Sequence, residues 1–157
     1  MPDFERPSWA ATWMTMADTI GARSKCCRAQ VGCVIVSEAQ EVLGSGYNGP
    51  PGTFSADGPC SNWCPRGRGE GGIDGAYTNC PSSHAENNCI VRCDYTRIKG
   101  ATAYVSRACC FTCAKMLASA SVARIVHRVT EDDMHRDPDG VEEFLRQCGV
   151  SVERWSD

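Results

Sequence analysis

The chain has 157 residues, of which 42% are hydrophobic and 22% are charged, a composition typical of a globular protein that can bury a core. Its formal net charge is −3, so it lacks the basic surface expected of a protein that binds a long nucleic acid. No apolar run approaches the length of a membrane span, and residues 1–6 lack the apolar stretch of a secretory signal. These features favour a cytoplasmic protein with one domain over residues 1–157, no membrane association and no polynucleotide partner.

The cysteine content is high, with twelve cysteines in the chain. In short secreted proteins such a count indicates a disulfide scaffold. This sequence has no secretory signal, and it is long enough to build a core without disulfides. We therefore favour reduced cysteines that serve partly as metal ligands.

The apolar pattern predicts the order of helices and strands. Apolar residues recur every three or four positions over 8–23, which predicts an amphipathic helix. A hairpin of two strands is predicted next, over 31–36 and 41–48. Further helices are predicted at 85–93, 110–120 and 141–148, alternating with strands at 101–106, 122–129 and 150–155. The fold class is therefore α/β, a three-layer α-β-α sandwich around a mixed sheet of roughly five strands.

A Gly/Cys-rich insertion loop, over about residues 49–81, interrupts this pattern. A loop of that length in a compact domain needs to be tied down. Cys60 and Cys64 have a C-x3-C spacing that can hold two corners of a zinc tetrahedron. Cys80 and either Cys26 or Cys27 could supply the other ligands. The loop thus predicts a second, structural zinc, with free buried cysteines as the alternative.

Two short motifs carry the chemistry, His84-Ala85-Glu86 and Cys110-Phe111-Thr112-Cys113. The imidazole and the two thiolates give three zinc ligands, which leaves the fourth tetrahedral position open for water. Glu86 is not needed as a ligand, and it can move protons between that water, activated as hydroxide, and a substrate. Each motif is predicted at a helix start, where the positive end of the helix favours thiolates. This arrangement is used to replace an exocyclic amine of a base with oxygen.

Each motif alone is weak evidence, because H-x-E is common and C-x-x-C can be half of a structural zinc finger. Their order, their separation and their shared position at helix starts favour a catalytic zinc. His127 and His135 lack such a setting, so they are interpreted as surface or polar-core residues.

Four segments resemble the deoxycytidylate deaminase family, within the cytidine-deaminase fold, and its phage and bacterial members above all. The segments are 24–36, 46–52, 84–88 and 110–117. The resemblance implies zinc-dependent deamination of dCMP to dUMP. It also implies a homo-oligomer, often a hexamer, and dCTP and dTTP as effectors, although residues 92–96 do not match an effector-site pattern.

The resemblance also implies site residues. Asn48 would hydrogen-bond the sugar, and the second zinc would be held by Cys26, Cys60, Cys64 and Cys80. Ala85 is a further expected substrate contact. Independently of the resemblance, Ser24, Arg28 and the pair His127-Arg128 are candidates for a phosphate pocket.

One departure from the family motif lies beside the zinc ligands. Cys109 stands where the family has the proline of P-C-x-x-C. Proline in the first turn of a helix fixes φ and loses no needed donor. Cys109 keeps a backbone N–H and adds a thiol. A second departure is Cys33, which replaces the usual alanine.

Three other functions compete with dCMP deamination. The same chemistry could act on dCTP, on a modified cytosine nucleotide or on a biosynthetic intermediate. Deamination within tRNA or single-stranded DNA requires a basic groove or aromatic platforms, which the net charge disfavours. In a non-catalytic zinc module, Glu86 would have no role.

Overall fold

The computed structural model describes residues 5–70 and 79–156, so residues 71–78 of the predicted loop lie outside it. Helices and strands follow the predicted order. They are α1 (Trp9–Gly21), β1 (Gly32–Val36), β2 (Val42–Tyr47), α2 (Ala85–Ile90), β3 (Thr102–Val105), α3 (Phe111–Ser119), β4 (Arg124–His127), α4 (Pro138–Gln147) and β5 (Ser151–Arg154). Short 3-10 turns lie at Cys60–Asn62 and Glu131–Arg136. Helix α2 ends at Ile90, three residues before the end of the predicted range of 85–93.

The five strands form one mixed sheet with the order β2-β1-β3-β4-β5. Strand β1 is antiparallel to both β2 and β3. Strands β3, β4 and β5 are parallel to one another, as expected where helices connect successive strands. The mixed five-stranded sheet confirms the predicted fold class.

Strand alternation divides the buried side chains between two faces of the sheet. Val34 and Val36 pack with Trp13 and Met14 of α1 on one face. Cys33 and Ile35 belong to the larger cluster on the opposite face, which contains Cys89 of α2, Leu117 of α3 and Leu145 of α4. Full burial of each large aliphatic side chain contributes about 1.5–3 kcal/mol. The result is the predicted three-layer sandwich, with the helix that carries His84 and the helix that carries Cys113 on the same face.

Glycines let two helices lie directly on the strands. A Cβ at Gly32 would stand 1.8 Å from the carbonyl oxygen of Ala17, so α1 can approach β1 only over glycine. A Cβ at Gly46 would stand 2.4 Å from the backbone nitrogen of Cys89 and 2.6 Å from the carbonyl oxygen of Ala85. The close contact at Gly46 fixes the start of α2 against the end of β2. Over the described residues, none of the helices combines the length and apolarity needed to cross a bilayer.

The prediction of one domain over residues 1–157 stays a prediction. The described residues of the loop do make contacts with the rest of the chain. The backbone N–H of Cys60 donates to the carbonyl oxygen of Lys25 at 2.9 Å, and the Lys25 ammonium donates to the carbonyl oxygen of Ala56 at 2.6 Å. These bonds attach the first half of the loop to the segment between α1 and β1.

Candidate active site

Two helix starts meet on one face of the sheet. His84 is the N-cap of α2 and Cys110 is the N-cap of α3, and both have extended backbone angles. The two serines before His84 do not cap α2. Neither cap side chain bonds to the N–H groups of its own helix. Instead, both side chains turn towards each other.

The side chains of His84, Cys110 and Cys113 form a metal-binding cluster. Their donor atoms all lie within 4.8 Å of one another. The Nδ1 atom of His84 is 3.4 Å from the Sγ atom of each cysteine. Zn–S and Zn–N bonds of ordinary length, set at the tetrahedral angle, would separate these atoms by about 3.5 Å. The three residues therefore fit a zinc ion, and they leave its fourth position for another ligand.

The cluster is set up to attract a cation. A hydrogen bond from Cys113, together with the neighbouring His84, lowers the pKa of the Cys110 thiol to about 3. Cys113 holds the shared proton, so the pKa of its thiol is raised. The hydrogen bond to Cys110 raises the pKa of His84 above its ordinary value. One thiolate is thus present near neutral pH, and bound zinc deprotonates the other.

Glu86 lies in the first turn of α2, two residues after the histidine. Its side chain is only 3% exposed. Burial raises the pKa of its carboxyl group above the ordinary range. Glu86 and His84 both line the same cavity. A buried carboxyl group at a cavity wall is placed to exchange protons with a bound substrate.

The cavity at these residues has a volume of about 250 Å³. Its walls include the predicted Arg28, Asn48 and Ala85. Two further arginines and a histidine line it, and the sequence motifs did not single them out: Arg107, Arg136 and His135. Two signals could have pointed to Arg107. It lies two residues after the end of β3, at the carboxyl end of a strand where α/β sites form, and it lies just before the C-x-x-C motif.

The turn after β2 is fastened to the start of α2. Asn88 donates from Nδ2 to the carbonyl oxygens of Tyr47, at 2.9 Å, and Gly49, at 3.1 Å. The backbones of Gly49 and Ser83 exchange hydrogen bonds of 3.1 and 3.0 Å. These bonds hold Asn48 at the cavity wall.

The Asn48 amide is itself fixed by the backbone. Its Oδ1 atom accepts from the Val31 N–H at 2.8 Å, and its Nδ2 atom donates to the Ala29 carbonyl oxygen at 2.9 Å. An asparagine amide has two N–H donors and two acceptor lone pairs. One donor and one acceptor of the side chain are therefore left for a ligand.

The structure does not bring Ser24 and His127 to the cavity, and we withdraw them as substrate contacts. Ser24 is buried, and its hydroxyl donates to the carbonyl oxygen of Asn48 at 2.7 Å. His127 is fully buried at the end of β4. It follows Ile125 by two positions, so strand alternation points it into the interior beneath α4. The neighbouring Arg128 binds Asp18 of α1.

The cysteines of the predicted second zinc site form two pairs rather than one cluster. The Sγ atoms of Cys27 and Cys60 are 3.2 Å apart, and those of Cys64 and Cys80 are 3.7 Å apart. Cys26 and Cys80, both expected ligands, also line the cavity. Over residues 5–70 and 79–156, donor atoms of three or more metal-ligating side chains converge within 4.8 Å only at His84, Cys110 and Cys113.

Comparison with known proteins decides the family. The profile of the cytidine and deoxycytidylate deaminase zinc-binding region matches residues 7–129. The chain belongs to this family. The match spans the zinc ligands, Glu86 and the turn after β2, which confirms the resemblance predicted from the motifs.

Individual members of the family are similar to the chain over most of its length. The deoxycytidylate deaminase of Mycobacterium phage D29 is 38% identical over 128 residues, which cover 78% of this chain and 95% of the phage protein. The deoxycytidylate deaminase of Saccharomyces cerevisiae is 30% identical over 158 residues, but the chain spans only 47% of its length. The crystal structure of the dCMP deaminase of cyanophage S-TIM5 in complex with dCMP and dUMP superposes with a TM-score of 0.71 at 26% identity, covering 97% of this chain and 100% of that one.

Proposed function

We propose that this protein converts deoxycytidine monophosphate to deoxyuridine monophosphate and ammonia, with one zinc ion as cofactor. The observation that carries the proposal is a single cavity lined by a zinc ligand, His84, and the buried acid Glu86, with cationic side chains on its other walls. The phage deoxycytidylate deaminase and the structure that holds dCMP and dUMP support this substrate class.

The chemistry divides between the metal and the acid. Zinc, when bound, lowers the pKa of water towards about 7 and so supplies a nucleophile near neutral pH. Glu86 would take a proton from the attacking water and deliver it to the ring nitrogen beside the reacting carbon. It would then move the remaining proton of the attacking hydroxyl group to the amine, so that the C–N bond breaks, ammonia departs and the new carbonyl group forms. Because burial raises the pKa of Glu86, its carboxyl group can hold the proton between these steps.

The nucleoside part of the substrate would lie against Ala85 and Asn48. Ala85 is fully buried and has a small side chain, so the base can approach the start of α2. The donor and acceptor that Asn48 retains suit a sugar hydroxyl.

The phosphate would lie among the arginines. Arg107 is held by the buried Asp133, to which its Nε and Nη2 atoms donate at 3.1 and 2.9 Å. Arg136 donates from Nη1 to the Ala108 carbonyl oxygen at 3.0 Å, and its buried Nε atom has no partner among the described residues. Arg28 reaches the cavity from the segment before β1. Three guanidinium groups from separate parts of the chain favour an anionic ligand.

The other candidate functions have less support. The described residues do not favour dCTP, a modified cytosine nucleotide or a biosynthetic intermediate over dCMP. The net charge of −3 gives no support to a tRNA or single-stranded DNA substrate. A buried glutamate at a cavity wall has no evident use in a non-catalytic zinc module.

The role of the acid is tested by Glu86→Gln. The substitution preserves shape but removes the proton carrier, so kcat should fall by about 10³ while zinc content and unfolding temperature stay unchanged. Glu143→Gln on the exposed face of α4 is the matched control and should retain parental kcat. Ammonia release from dCMP measures both. Parental turnover by the Glu86 variant would overturn the mechanism.

The phosphate pocket is tested by Arg28→Met and Arg136→Met. Each variant should raise the KM for dCMP about tenfold, because a charged hydrogen bond is lost. Turnover of deoxycytidine, which has no phosphate, should be unchanged. Arg97→Met, at an exposed arginine paired with Glu41, controls for the loss of positive charge. An equal loss of kcat/KM on dCMP and on deoxycytidine would show that these arginines do not bind the phosphate.

A second zinc in the loop is a separate proposal. It is supported by the two thiol pairs and by the proximity of Cys60 and Cys64 in one turn, where the Cys64 N–H donates to the Cys60 carbonyl oxygen at 2.7 Å. Cys27, one of the two candidates for this position, is the partner of Cys60 in this pairing. Binding would have to draw the Cys27–Cys60 and Cys64–Cys80 pairs together around the ion.

Metal analysis tests the second site. The purified protein should contain about two zinc ions per chain, and Cys64→Ser should contain about one while keeping its deaminase activity. Cys148→Ser, at an exposed thiol, should leave the zinc content unchanged. A single zinc per chain in the parent protein would contradict the second site and leave the catalytic site unaffected.

Three further properties remain proposals. A homo-oligomer, of which a hexamer is one form, is supported by exposed apolar side chains at the end of α2 and beyond it, Val91 and Tyr95. A monomer in sedimentation at working concentration would contradict this assembly.

A cytoplasmic location agrees with a site that needs reduced thiols. Control by dCTP or dTTP stays a prediction, and adding either nucleotide to the assay tests it.

A further inference from the structure

Cys109 makes a buried backbone contact that a proline could not make. Its N–H donates to the Nδ1 atom of His127 at 3.2 Å. Both residues are fully buried. Cys109 directly precedes Cys110, which is both the N-cap of α3 and a zinc ligand. The position of the Cys109 peptide therefore bears on the position of a metal ligand.

The hydrogen bond that Nδ1 of His127 accepts fixes the tautomer of the imidazole ring. Because Nδ1 accepts a hydrogen bond, it carries no proton, and the ring hydrogen of a neutral imidazole must be on Nε2. Nε2 lies 3.1 Å from Oε1 of Glu142 and donates to it. His127 thus bridges the Cys109 amide and the Glu142 carboxylate in a single tautomer.

The Glu142 carboxylate is itself held in place by burial and by hydrogen bonds. It is buried on the inner face of α4. Its Oε1 atom accepts from Nε of Arg154 at 2.6 Å, and its Oε2 atom accepts from Nη2 of Arg146 at 3.1 Å. Burial alone would raise the pKa of Glu142, but the bonds from Arg154 and His127 outweigh it, so the carboxylate remains ionised. Arg154 also stands opposite His127 in the β4–β5 ladder.

We propose that Cys109, His127 and Glu142 are positioning residues for the zinc centre, and that their bonds lock the start of α3 so that Cys110 is held in place for the metal. The chain of bonds runs from α4 through the end of β4 to the residue before the ligand. Side chains that orient metal ligands from behind commonly control how firmly the metal is retained. The absence of proline at position 109 then has a definite use, since proline would leave Nδ1 of His127 without its donor.

The critical comparison is between Cys109→Pro and Cys109→Ala. The proline variant removes the N–H, and the alanine variant removes only the thiol. Zinc loss to a coloured chelator should be about tenfold faster in Cys109→Pro and at the parental rate in Cys109→Ala. With cobalt in place of zinc, the thiolate-to-cobalt absorption should shift only in the proline variant. Equal behaviour of the two variants would overturn the proposal.

A double-mutant cycle separates the hydrogen bond from a general effect of proline. In a His127→Leu background, where the acceptor is gone, Cys109→Pro should cause no further acceleration of zinc loss. An undiminished effect in that background would show that the proline acts independently of His127, and would overturn the proposal.

A measurement on the unaltered protein covers the case in which the proline variant does not fold. In the ¹⁵N spectrum of histidine-labelled, zinc-loaded protein, His127 should show an unprotonated Nδ1 and a protonated Nε2 at neutral pH. The opposite tautomer would contradict the bridge. This inference rests on the zinc centre, and none of its readouts requires turnover, so it can fail while the proposed deaminase activity stands.

Discussion

The approach of two helix starts on one face of the sheet is the constraint on which the rest of the structure depends. His84 and Cys110 each end an extended segment and begin a helix, and their side chains meet with Nδ1 and Sγ 3.4 Å apart. Short α2 can hold His84 there because it lies on glycine in β2 and is tied through Asn88 to the turn that follows this strand. Zinc binding would reinforce contacts that the protein already makes.

Charge is distributed unevenly around the cavity. His84 and the buried acid Glu86 line it at the start of α2, and the guanidinium groups of Arg28, Arg107 and Arg136 line it from other segments. A nucleotide has the complementary distribution, with a neutral base at one end and a phosphate at the other. The Arg107–Asp133 pair fixes one cation through a buried carboxylate, which limits the conformational entropy that substrate binding would cost.

Periodicity and spacing were enough to predict the element order and each of the two zinc-binding motifs, because each depends on residues close in sequence. Two of the three cavity arginines were missed for the opposite reason. Arg107 and Arg136 reach it only because the turn at Glu131–Arg136 folds back over the end of β3, a contact between distant segments.

His127 illustrates a different limit of sequence reasoning. It was expected both as a surface or polar-core residue and as part of a phosphate pocket, and its full burial in β4 agrees with the polar core. Its partners, the Cys109 amide and Glu142, are distant in sequence and emerge only from the packing of α4 on the sheet. The cysteine pairing is likewise non-local, since Cys27 and Cys26 differ by one position and only the folded loop distinguishes them.

The zinc centre is proposed to deaminate a small deoxynucleotide monophosphate. The most direct test is ammonia release by the zinc-loaded protein across cytidine, deoxycytidine, CMP, dCMP and dCTP under one set of conditions. The protein should show its highest kcat/KM for dCMP, and its activity should be lost on zinc removal and regained when zinc is restored. A clear preference for an unphosphorylated nucleoside, or turnover that survives complete removal of zinc, would contradict it.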